Sequence, residues 1–262
     1  MGVVNVTPDS FSDGGRFLDQ EAAVRHALAL LEQGADMLDI GGESTRPGAE
    51  PVSASDEIAR ILPVIEGVRR VSAAPISIDT MKPGVMRAAA SAGAGIWNDV
   101  TALTGAADSL SMAAELGCQV VLMHMQGEPG SMQDNPTYGD AVGEVLAYLP
   151  ARAQAAMQAG VAREAIWLDP GIGFGKTLAH NLALLAHLDR LKGLGFKTVL
   201  GVSRKRFIRA IDPTALKAED RLGGSIAAAL AGARAGVDAV RVHDVRETAQ
   251  ALRVWSAIEG GR

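Results

Sequence analysis

Residues 119–168, QVVLMHMQGEPGSMQDNPTYGDAVGEVLAYLPARAQAAMQAGVAREAIWL, contain the unit from which the fold can be inferred. The stretch starts with a short, valine-rich apolar run at residues 119–123 and continues through a polar loop. An alanine- and leucine-rich segment of helical period then covers residues 140–159, and a second apolar run follows at residues 165–168. Two short apolar runs separated by one helical segment are typical of a parallel βαβ unit.

The same alternation extends in both directions along the whole chain. It predicts strands at residues 2–6, 36–40, 75–78, 95–98, 119–123, 165–168, 197–202 and 239–242, and helices at residues 20–32, 55–71, 83–92, 109–116, 140–159, 177–191, 221–235 and 245–257. Eight βα pairs in 262 residues correspond to an α/β protein with a (β/α)8 TIM barrel, since a doubly wound sheet more often has about five or six strands. No linker-like segment interrupts the pattern, so we expect a single domain over residues 1–262.

The composition excludes several classes of protein. Apolar residues make up 48% of the chain and charged residues 21%, which supports a large core and excludes a disordered chain. A net charge of −5 provides no basic field for a nucleic acid, and the one cysteine, Cys118, cannot form an internal disulfide. No apolar run has the length of a membrane span, and the first residues do not resemble a secretory signal. We therefore expect a cytoplasmic protein that binds small molecules, without a nucleic-acid or membrane partner.

Polar or ionisable residues stand at the carboxyl end of every predicted strand. In TIM barrels these ends carry the chemistry, whereas a single aspartate at a strand end is more often a turn or cap residue. The set comprises Asn5, Asp39, Asp79, Thr80, Asn98, Asp99, His124, Asp169, Ser203, Arg204, Lys205, Arg241 and His243. Because all eight ends are occupied in this way, we expect an active site at the mouth of the barrel.

The glycine-rich stretch at residues 169–177 does not match a nucleotide-binding motif. A P-loop requires glycine where Pro170 stands, and a Rossmann fingerprint requires glycine where Lys176 stands. What remains is a carboxylate at a strand end, followed by a loop whose glycines let a flat group approach the backbone, with Phe174 available for packing. As a bare pattern the stretch fits a structural turn equally well.

Carboxylates and cations at the other strand ends suggest the kind of ligand. Asp39, Asp79 and Asp169 could form a magnesium cluster or could accept hydrogen bonds from a ligand, and Asn98 and Lys205 favour a planar heterocycle. Three cations at residues 204–206 precede a helical turn, and Arg241 and His243 follow at the last strand, on one face by the period of two. Together these cations indicate an anion with more than one charge.

The arrangement of motifs resembles that of the dihydropteroate synthase family. Residues 5–15, NVTPDSFSDGG, and 39–48, DIGGESTRPG, are similar to the two signature segments of that family. Further similar segments lie, in the order of the family, at residues 77–80, 98–100, 123–127, 169–176, 203–207 and 241–245. The resemblance runs from Met1 to the last predicted helix, and eight ordered motifs are far more specific than any single one.

The resemblance implies a pterin-binding TIM barrel that acts as a transferase in folate biosynthesis. The family condenses 6-hydroxymethyl-7,8-dihydropterin diphosphate with p-aminobenzoate, gives 7,8-dihydropteroate and pyrophosphate, and is a target of sulfonamides. It further implies Mg²⁺ as the cofactor and a homodimer formed through the late helices.

The resemblance also assigns roles to residues by position. Asp79, Lys205, Asp13 and Arg46 would be catalytic. Substrate-binding residues would be Phe11, Thr45, Asp79, Asn98, Asp169, Phe174, Ser203, Lys205, Arg206, Arg241 and His243, and Asn5 would bind the metal. In particular, Asp169 would accept from the pterin 2-amino and N3 groups, and Arg241 and His243 would hold the diphosphate. Phe11, Thr45 and Arg46 would contribute to the p-aminobenzoate pocket.

Two departures from the family pattern and two alternative functions accompany this interpretation. The chain begins at the first barrel strand, where relatives have an upstream segment under the barrel, and Arg206 stands where some relatives have serine beside the p-aminobenzoate carboxylate.

A pterin-binding methyltransferase would have a similar barrel without a diphosphate site. A non-catalytic pterin-binding paralogue is the other alternative, and all matched catalytic positions are filled, which argues against it.

Overall fold

A computed structural model of the chain describes residues 1–7, 15–44, 50–128 and 130–260, with residues 15–19 described by their backbone alone. Its sheet has eight strands: β1 (Gly2–Asn5), β2 (Leu38–Gly41), β3 (Ile76–Asp79), β4 (Ile96–Asp99), β5 (Gln119–Met123), β6 (Ile166–Asp169), β7 (Lys197–Gly201) and β8 (Ala239–Arg241). Each strand pairs in parallel with the next along the chain. A parallel bridge between Gly2 and Val242 joins the two ends of the sheet. The prediction of a (β/α)8 barrel is therefore confirmed.

Helices surround this sheet in the described part of the chain. They are α1 (Gly15–Glu32), α2 (Ala54–Arg69), α3 (Pro83–Ser91), α4 (Ser109–Leu116), α5 (Ala141–Ala159), α6 (Leu178–Ala186), α7 (Leu188–Lys192), α8 (Arg206–Ile211), α9 (Leu222–Arg234) and α10 (Val245–Gly260). The helix α5 illustrates how the sequence sets these bounds. The Asp140 side chain accepts from the backbone N of Gly143 at the start, and Gly160, with a φ of 109°, ends the helix in a left-handed conformation.

One predicted helix is divided in the structure. Residues 177–191 form α6 and α7, which are separated at His187, with φ −120° and ψ 30°. The ring Nδ1 of His187 lies 2.8 Å from the carbonyl O of Ala183, the group to which the backbone N of His187 would donate if the helix continued. At the break the backbone N of His187 donates to the carbonyl O of Leu184 at 3.2 Å instead, and the ring occupies the carbonyl of Ala183. The prediction of one continuous helix was wrong here.

The alternation of side chains along each strand separates the floor of the barrel from its mouth. A small inner cluster contains Ile96, Val121, Trp167 and Val199 together with Met1. Side chains two residues further along a strand point to the same side of the sheet, one layer higher. Asn98, Asp169 and Arg241 therefore lie above Ile96, Trp167 and Ala239 and face the mouth.

The outward-facing strand residues pack against the helices and form the main core. Ile40, Ile78, Trp97, Leu122 and Leu168 belong to this cluster and are buried. This core holds the strand ends in fixed positions, so that the polar groups at the mouth stand on a rigid scaffold. Within the described residues, no helix is both long enough and apolar enough to cross a bilayer.

Candidate active site

Arg241, at the end of β8, joins two carboxylates from neighbouring strands. Its Nε lies 2.6 Å from Oδ2 of Asp39, and its Nη2 lies 2.8 Å from Oδ2 of Asp79. The amide Nδ2 of Asn98 donates to the same Asp39 oxygen at 3.2 Å. The sequence predicted that these four residues stand at the mouth, and the structure brings them into one hydrogen-bonded cluster. Asp39, which received no role by position, is part of it.

Each of the two carboxylates in this cluster has one oxygen that accepts no hydrogen bond from the described residues. Oδ1 of Asp39 and Oδ1 of Asp79 are buried and have no hydrogen-bond partner among the described residues. Burial, opposed by Arg241 and aided by the nearby Asp39, raises the pKa of Asp79 to about 7. Unpaired buried acceptors are unfavourable unless a ligand supplies donors, so this cluster is suited to bind N–H groups.

Asp169 and Lys205 form a second charged group on the opposite side of the mouth. Oδ1 of Asp169 accepts from the backbone N of Gly171 at 2.7 Å, and burial raises the pKa of the carboxyl while Lys205 opposes the shift. The Nζ of Lys205 donates to the carbonyl O of Ile172 and lies 4.4 Å from the centroid of the Phe174 ring. Burial lowers the pKa of Lys205 to about 8, against the attraction of Asp169.

Glycines in the loop after β6 allow it to pack against the loop after β5. A Cβ on Gly171, with φ 67°, would lie 1.9 Å from the carbonyl O of His124. A Cβ on Gly175, with φ 59°, would lie 2.2 Å from the carbonyl O of Gln126. The sequence predicted either a flat group close to this glycine-rich backbone or a structural turn, and at these two positions the group that lies close is the backbone of the neighbouring loop.

A buried lysine that the sequence analysis left without a role connects these two loops. Nζ of Lys176 lies 3.0 Å from Nδ1 of His124 and 3.1 Å and 3.0 Å from the carbonyl oxygens of His124 and Phe174. Burial and the nearby Lys176 lower the pKa of His124 to about 3, so the ring is neutral and Nδ1 accepts. Burial lowers the pKa of Lys176 to about 7. The only sequence signal for this role was a lysine directly after a glycine-rich loop.

The basic triplet after β7 is divided among three environments. Lys205 is directed into the mouth, Arg206 is exposed at the start of the six-residue helix α8, and Arg204 forms an ion pair with Asp244. The hydroxyl of the buried Ser203 lies 3.0 Å from Nδ1 of His243, which connects the loops after β7 and β8. Of the three cations, Lys205 alone faces the carboxylates of the mouth.

The residues present fit a magnesium ion that arrives with phosphate groups better than an ion held by protein carboxylates. Arg241 already pairs with Asp39 and Asp79, and within the described ranges no three His, Cys, Asp or Glu residues form a metal-binding group. The half-buried Asn5 at the end of β1 offers one amide oxygen. Mg²⁺ is commonly bound through one or two protein oxygens together with substrate phosphates and water. The alternative of a three-aspartate magnesium cluster is therefore not supported.

Four of the predicted site residues lie outside the described residues: Phe11, Asp13, Thr45 and Arg46. The segments that contain them follow β1 and β2 directly. All other predicted site residues lie at or directly after the carboxyl ends of the strands. Of these, the structure joins Asp79, Asn98 and Arg241 in one cluster, Asp169, Lys205 and Phe174 in another, and Ser203 and His243 in a third.

Comparison with known proteins identifies the family. The family model described as pterin binding enzyme matches residues 1–243. The dihydropteroate synthase of Neisseria meningitidis serogroup B is 51% identical over 98% of this chain and 92% of its own length, and that of Escherichia coli K12 is 45% identical over 98% and 90%.

Solved structures agree with this result. The Xanthomonas albilineans dihydropteroate synthase with 4-aminobenzoic acid has a TM-score of 0.93 and 51% identity, and covers 99% of this chain and 92% of its own. The same enzyme in complex with 7,8-dihydropteroate has a TM-score of 0.89 and 48% identity, with 99% and 92% covered. These relatives leave no support for the methyltransferase alternative, and the chain belongs to the pterin-binding enzyme family and, within it, to the dihydropteroate synthases.

Proposed function

We propose that the mouth of the barrel is where this chain joins 6-hydroxymethyl-7,8-dihydropterin diphosphate to p-aminobenzoate and releases pyrophosphate. The observation that carries this proposal is the pair of buried oxygens on Asp39 and Asp79 that accept no hydrogen bond from any residue the structure describes. The edge of a pterin presents several N–H donors, which suit such acceptors. Two cationic groups lie near these carboxylates, because Arg241 pairs with both of them and Lys205 interacts electrostatically with Asp79. These cations suit an anionic second half of the substrate.

The pterin would lie across the two charged groups of the mouth. Asp169 would accept from the 2-amino and N3 groups, while Asn98 and Asp79 would bind the rest of the polar edge. Lys205 would donate to a ring acceptor, and the Phe174 ring beneath its ammonium group would give the site an apolar wall. The close spacing of Lys205 and Phe174, 4.4 Å from Nζ to the ring centroid, supports this placement.

The diphosphate would lie over Arg241, His243 and Asn5. Arg241 uses Nε and Nη2 for the two carboxylates, and its guanidinium has further N–H donors for phosphate oxygens. His243 lies directly after β8, where its ring contacts the hydroxyl of Ser203 in the loop after β7. Magnesium, when bound with the substrate through Asn5, would supply positive charge to the departing pyrophosphate.

The reaction breaks the bond between the exocyclic pterin carbon and the ester oxygen that links it to the diphosphate, and the electron pair of that bond leaves with pyrophosphate. The arylamine nitrogen of p-aminobenzoate forms the new bond to that carbon and then loses a proton. Positive charge develops on the exocyclic carbon and the ring as the first bond breaks. Asp79 would stabilise this charge in its ionised form, and Arg241 would stabilise the negative charge that develops on the leaving group.

The p-aminobenzoate would bind at the outer rim, near the start of α8. Ser203, Lys205 and the backbone amide of Arg206 lie there and offer donors for its carboxylate. Phe11, Asp13, Thr45 and Arg46 are proposed to complete this pocket, as the resemblance implies, although they lie outside the described residues.

We also propose that the protein is a cytoplasmic homodimer that associates through its late helices. Exposed apolar residues lie on α6 and α10, including Leu182, Val254 and Ile258. A shallow cleft between α6, α7, α9 and α10 is lined by Leu185, Leu188, Leu230 and Trp255, among others. An apolar face of this kind is suited to a second copy of the chain. The single buried cysteine, Cys118, suits a reducing compartment.

Calorimetric titration with 6-hydroxymethylpterin tests the pterin site. The substitution Asp169→Asn replaces an acceptor oxygen by a donor, so the binding free energy should weaken by more than about 2 kcal/mol. Asp36→Asn, an exposed aspartate just before β2 at the opposite end of the barrel, serves as the control and should bind normally. Unchanged affinity in a folded Asp169→Asn protein would exclude Asp169 as the pterin acceptor.

A further inference from the structure

Arg204 has an unusual backbone conformation for its residue type. It lies between Ser203 and Lys205, both part of the proposed site, and its φ is 59°. A positive φ is unfavourable for a residue with a Cβ and a long side chain, because the Cβ approaches its own backbone. The conformation therefore requires support from the surroundings.

That support comes from α9, from Arg221 directly before it, and from the loop after β8. The backbone N of Arg204 donates to Oγ of Ser225 at 2.8 Å, and its carbonyl O accepts from Nη1 of Arg221 at 2.9 Å. The guanidinium makes a two-pronged contact with Asp244, with Nε 3.0 Å from Oδ2 and Nη2 2.5 Å from Oδ1. The backbone N, the carbonyl O and the guanidinium of Arg204 are thus each held by a different residue.

As a consequence, the side chain of Arg204 has a different direction from those of its two neighbours, which both belong to the proposed site. The Arg204 side chain contacts Asp244, whereas Lys205 contacts the carbonyl of Ile172 and Ser203 contacts His243. Asp244 directly follows His243. The Arg204–Asp244 ion pair and the Ser203–His243 hydrogen bond therefore connect the loops after β7 and β8 at consecutive positions.

We propose that Arg204 and Asp244 are positioning residues, whose ion pair holds Lys205 and His243 in register with each other in the neighbouring loops after β7 and β8. This inference rests on the proposed roles of Lys205 for the pterin and of His243 for the diphosphate. It assigns Arg204 no contact with substrate, although Arg204 belongs to the basic triplet next to the site. Loss of the pair shifts both neighbouring groups, so binding of the pterin and of the diphosphate should weaken together.

Substitution of Asp244 separates positioning from direct anion binding by Arg204. Asp244→Asn releases the guanidinium from its carboxylate and leaves its positive charge in place. If Arg204 bound the diphosphate itself, this release would preserve or strengthen diphosphate binding. If it is a positioning residue, Asp244→Asn should impair the enzyme in the same way as loss of Arg204.

The experiment measures kcat and KM for both substrates, together with the melting temperature. The variants are Arg204→Gly, Arg204→Lys, Asp244→Asn and the double variant Arg204→Gly with Asp244→Asn. Glycine accepts the positive φ without strain, so Arg204→Gly removes the ion pair while the backbone stays favourable. Lysine retains the charge but not the planar fork. The matched control is Arg87→Lys with Glu115→Gln, an exposed two-pronged pair between α3 and α4 with both contacts at 2.9 Å.

We expect kcat/KM for the pterin diphosphate to fall about 10- to 100-fold in Arg204→Gly and Asp244→Asn, because a displacement near 1 Å has effects of this size. The double variant should be no worse than either single variant, and Arg204→Lys should recover part of the loss. The control pair should leave kcat and KM unchanged. A purely structural role would lower the melting temperature and leave kcat and KM of the folded protein intact, which would overturn the proposal.

A parallel titration of Lys205→Ala with 6-hydroxymethylpterin distinguishes this inference from the proposed function. If Lys205→Ala loses affinity while Arg204→Gly and Asp244→Asn retain it, the positioning role is wrong and the proposed pterin site stands. If Lys205→Ala itself retains affinity for 6-hydroxymethylpterin, the pterin role of Lys205 is wrong, and the positioning inference is overturned with it. Loss of affinity in all three variants supports both.

Discussion

The guanidinium Nε of Arg241 lies 2.6 Å from Oδ2 of Asp39, a contact between the last strand of the barrel and the second. Between these two residues lie 201 others, and the barrel brings them together only when β8 meets β1. The same guanidinium reaches Asp79 on β3. One cation thus compensates two buried carboxylates, and each keeps one oxygen that pairs with no group in the described part of the chain and is suited to a ligand.

Replacement of Arg241 should therefore destabilise the protein as well as impair catalysis. Arg241→Ala leaves Asp39 and Asp79 buried without their cation, so we expect the free energy of unfolding to fall by about 3 kcal/mol or more. The pKa of Asp79 should rise beyond its present value of about 7, because Arg241 is the group that lowers it. Denaturant unfolding at pH 8 measures the effect on stability.

Arg87→Ala is the control for this prediction, since it removes an exposed partner of Glu115 and should change the stability by less than about 1 kcal/mol. Calorimetry adds a second readout, in which the pterin diphosphate should lose more affinity than 6-hydroxymethylpterin. Equal stabilities of the two variants would show that Arg241 does not compensate the carboxylates.

The buried Lys176 should give the stability a characteristic pH dependence. Its pKa is about 7 in the folded protein and 10.5 in an unperturbed lysine. Between these values the unfolded chain binds a proton that the folded protein does not, so the stability rises with pH by up to about 1.4 kcal/mol per unit. Below pH 7 both states are protonated and the full penalty of burying the charge applies.

Lys176→Met removes this titration, and the free energy of unfolding should then depend less steeply on pH between 7 and 9.5. Urea unfolding at several pH values measures the slope. Lys217→Met has the same change in charge at an exposed position and should retain the slope of the original protein. Identical slopes in all three proteins would contradict the assignment of a depressed lysine pKa to Lys176.

A comparison of two glycines tests the packing of the loops after β5 and β6. Gly175 and Gly117 both have a φ of 59°, but a Cβ on Gly175 would lie 2.2 Å from the carbonyl of Gln126, whereas nothing lies within 4 Å of one on Gly117. Gly175→Ala should therefore destabilise the protein by about 1–3 kcal/mol more than Gly117→Ala. It should also lower kcat/KM, because Asp169 and Lys205 are held by the displaced loop.

Gly117→Ala measures only the loss of stability caused by a Cβ at a positive φ. It should leave kcat/KM intact, because Gly117 ends α4 outside the site. Thermal unfolding and initial rates of both variants provide the comparison. A Gly175→Ala protein as stable and as active as Gly117→Ala would mean that the two loops do not need this close approach.

The amino-acid sequence predicts the barrel well because its signals are local. Each strand is an apolar run of about five residues, and each carboxyl end carries a polar residue, so Asp79, Asn98 and Asp169 could be placed at the mouth without coordinates. The pairing of Arg241 with Asp39 could not be predicted in this way, because it depends on closure of the barrel over the whole chain.

The basic triplet after β7 shows the same limit of prediction from sequence, here over a shorter stretch of the chain. As a sequence, Arg204, Lys205 and Arg206 form one patch of positive charge. The positive φ of Arg204 directs its side chain to Asp244, and this conformation depends on groups that follow about 20 and 40 residues later in the chain. A local pattern of charges therefore predicts the presence of an anion site but not which cation serves it.

Formation of the product tests the proposed condensation most directly. The purified protein is incubated with 6-hydroxymethyl-7,8-dihydropterin diphosphate, p-aminobenzoate and Mg²⁺, and dihydropteroate and pyrophosphate are quantified over time. We expect equal amounts of the two products, with both strongly reduced by Asp169→Asn and unaffected by Asp36→Asn. A protein that binds the pterin diphosphate but forms no dihydropteroate, or that releases pyrophosphate without it, would contradict the proposal that this mouth joins the two substrates.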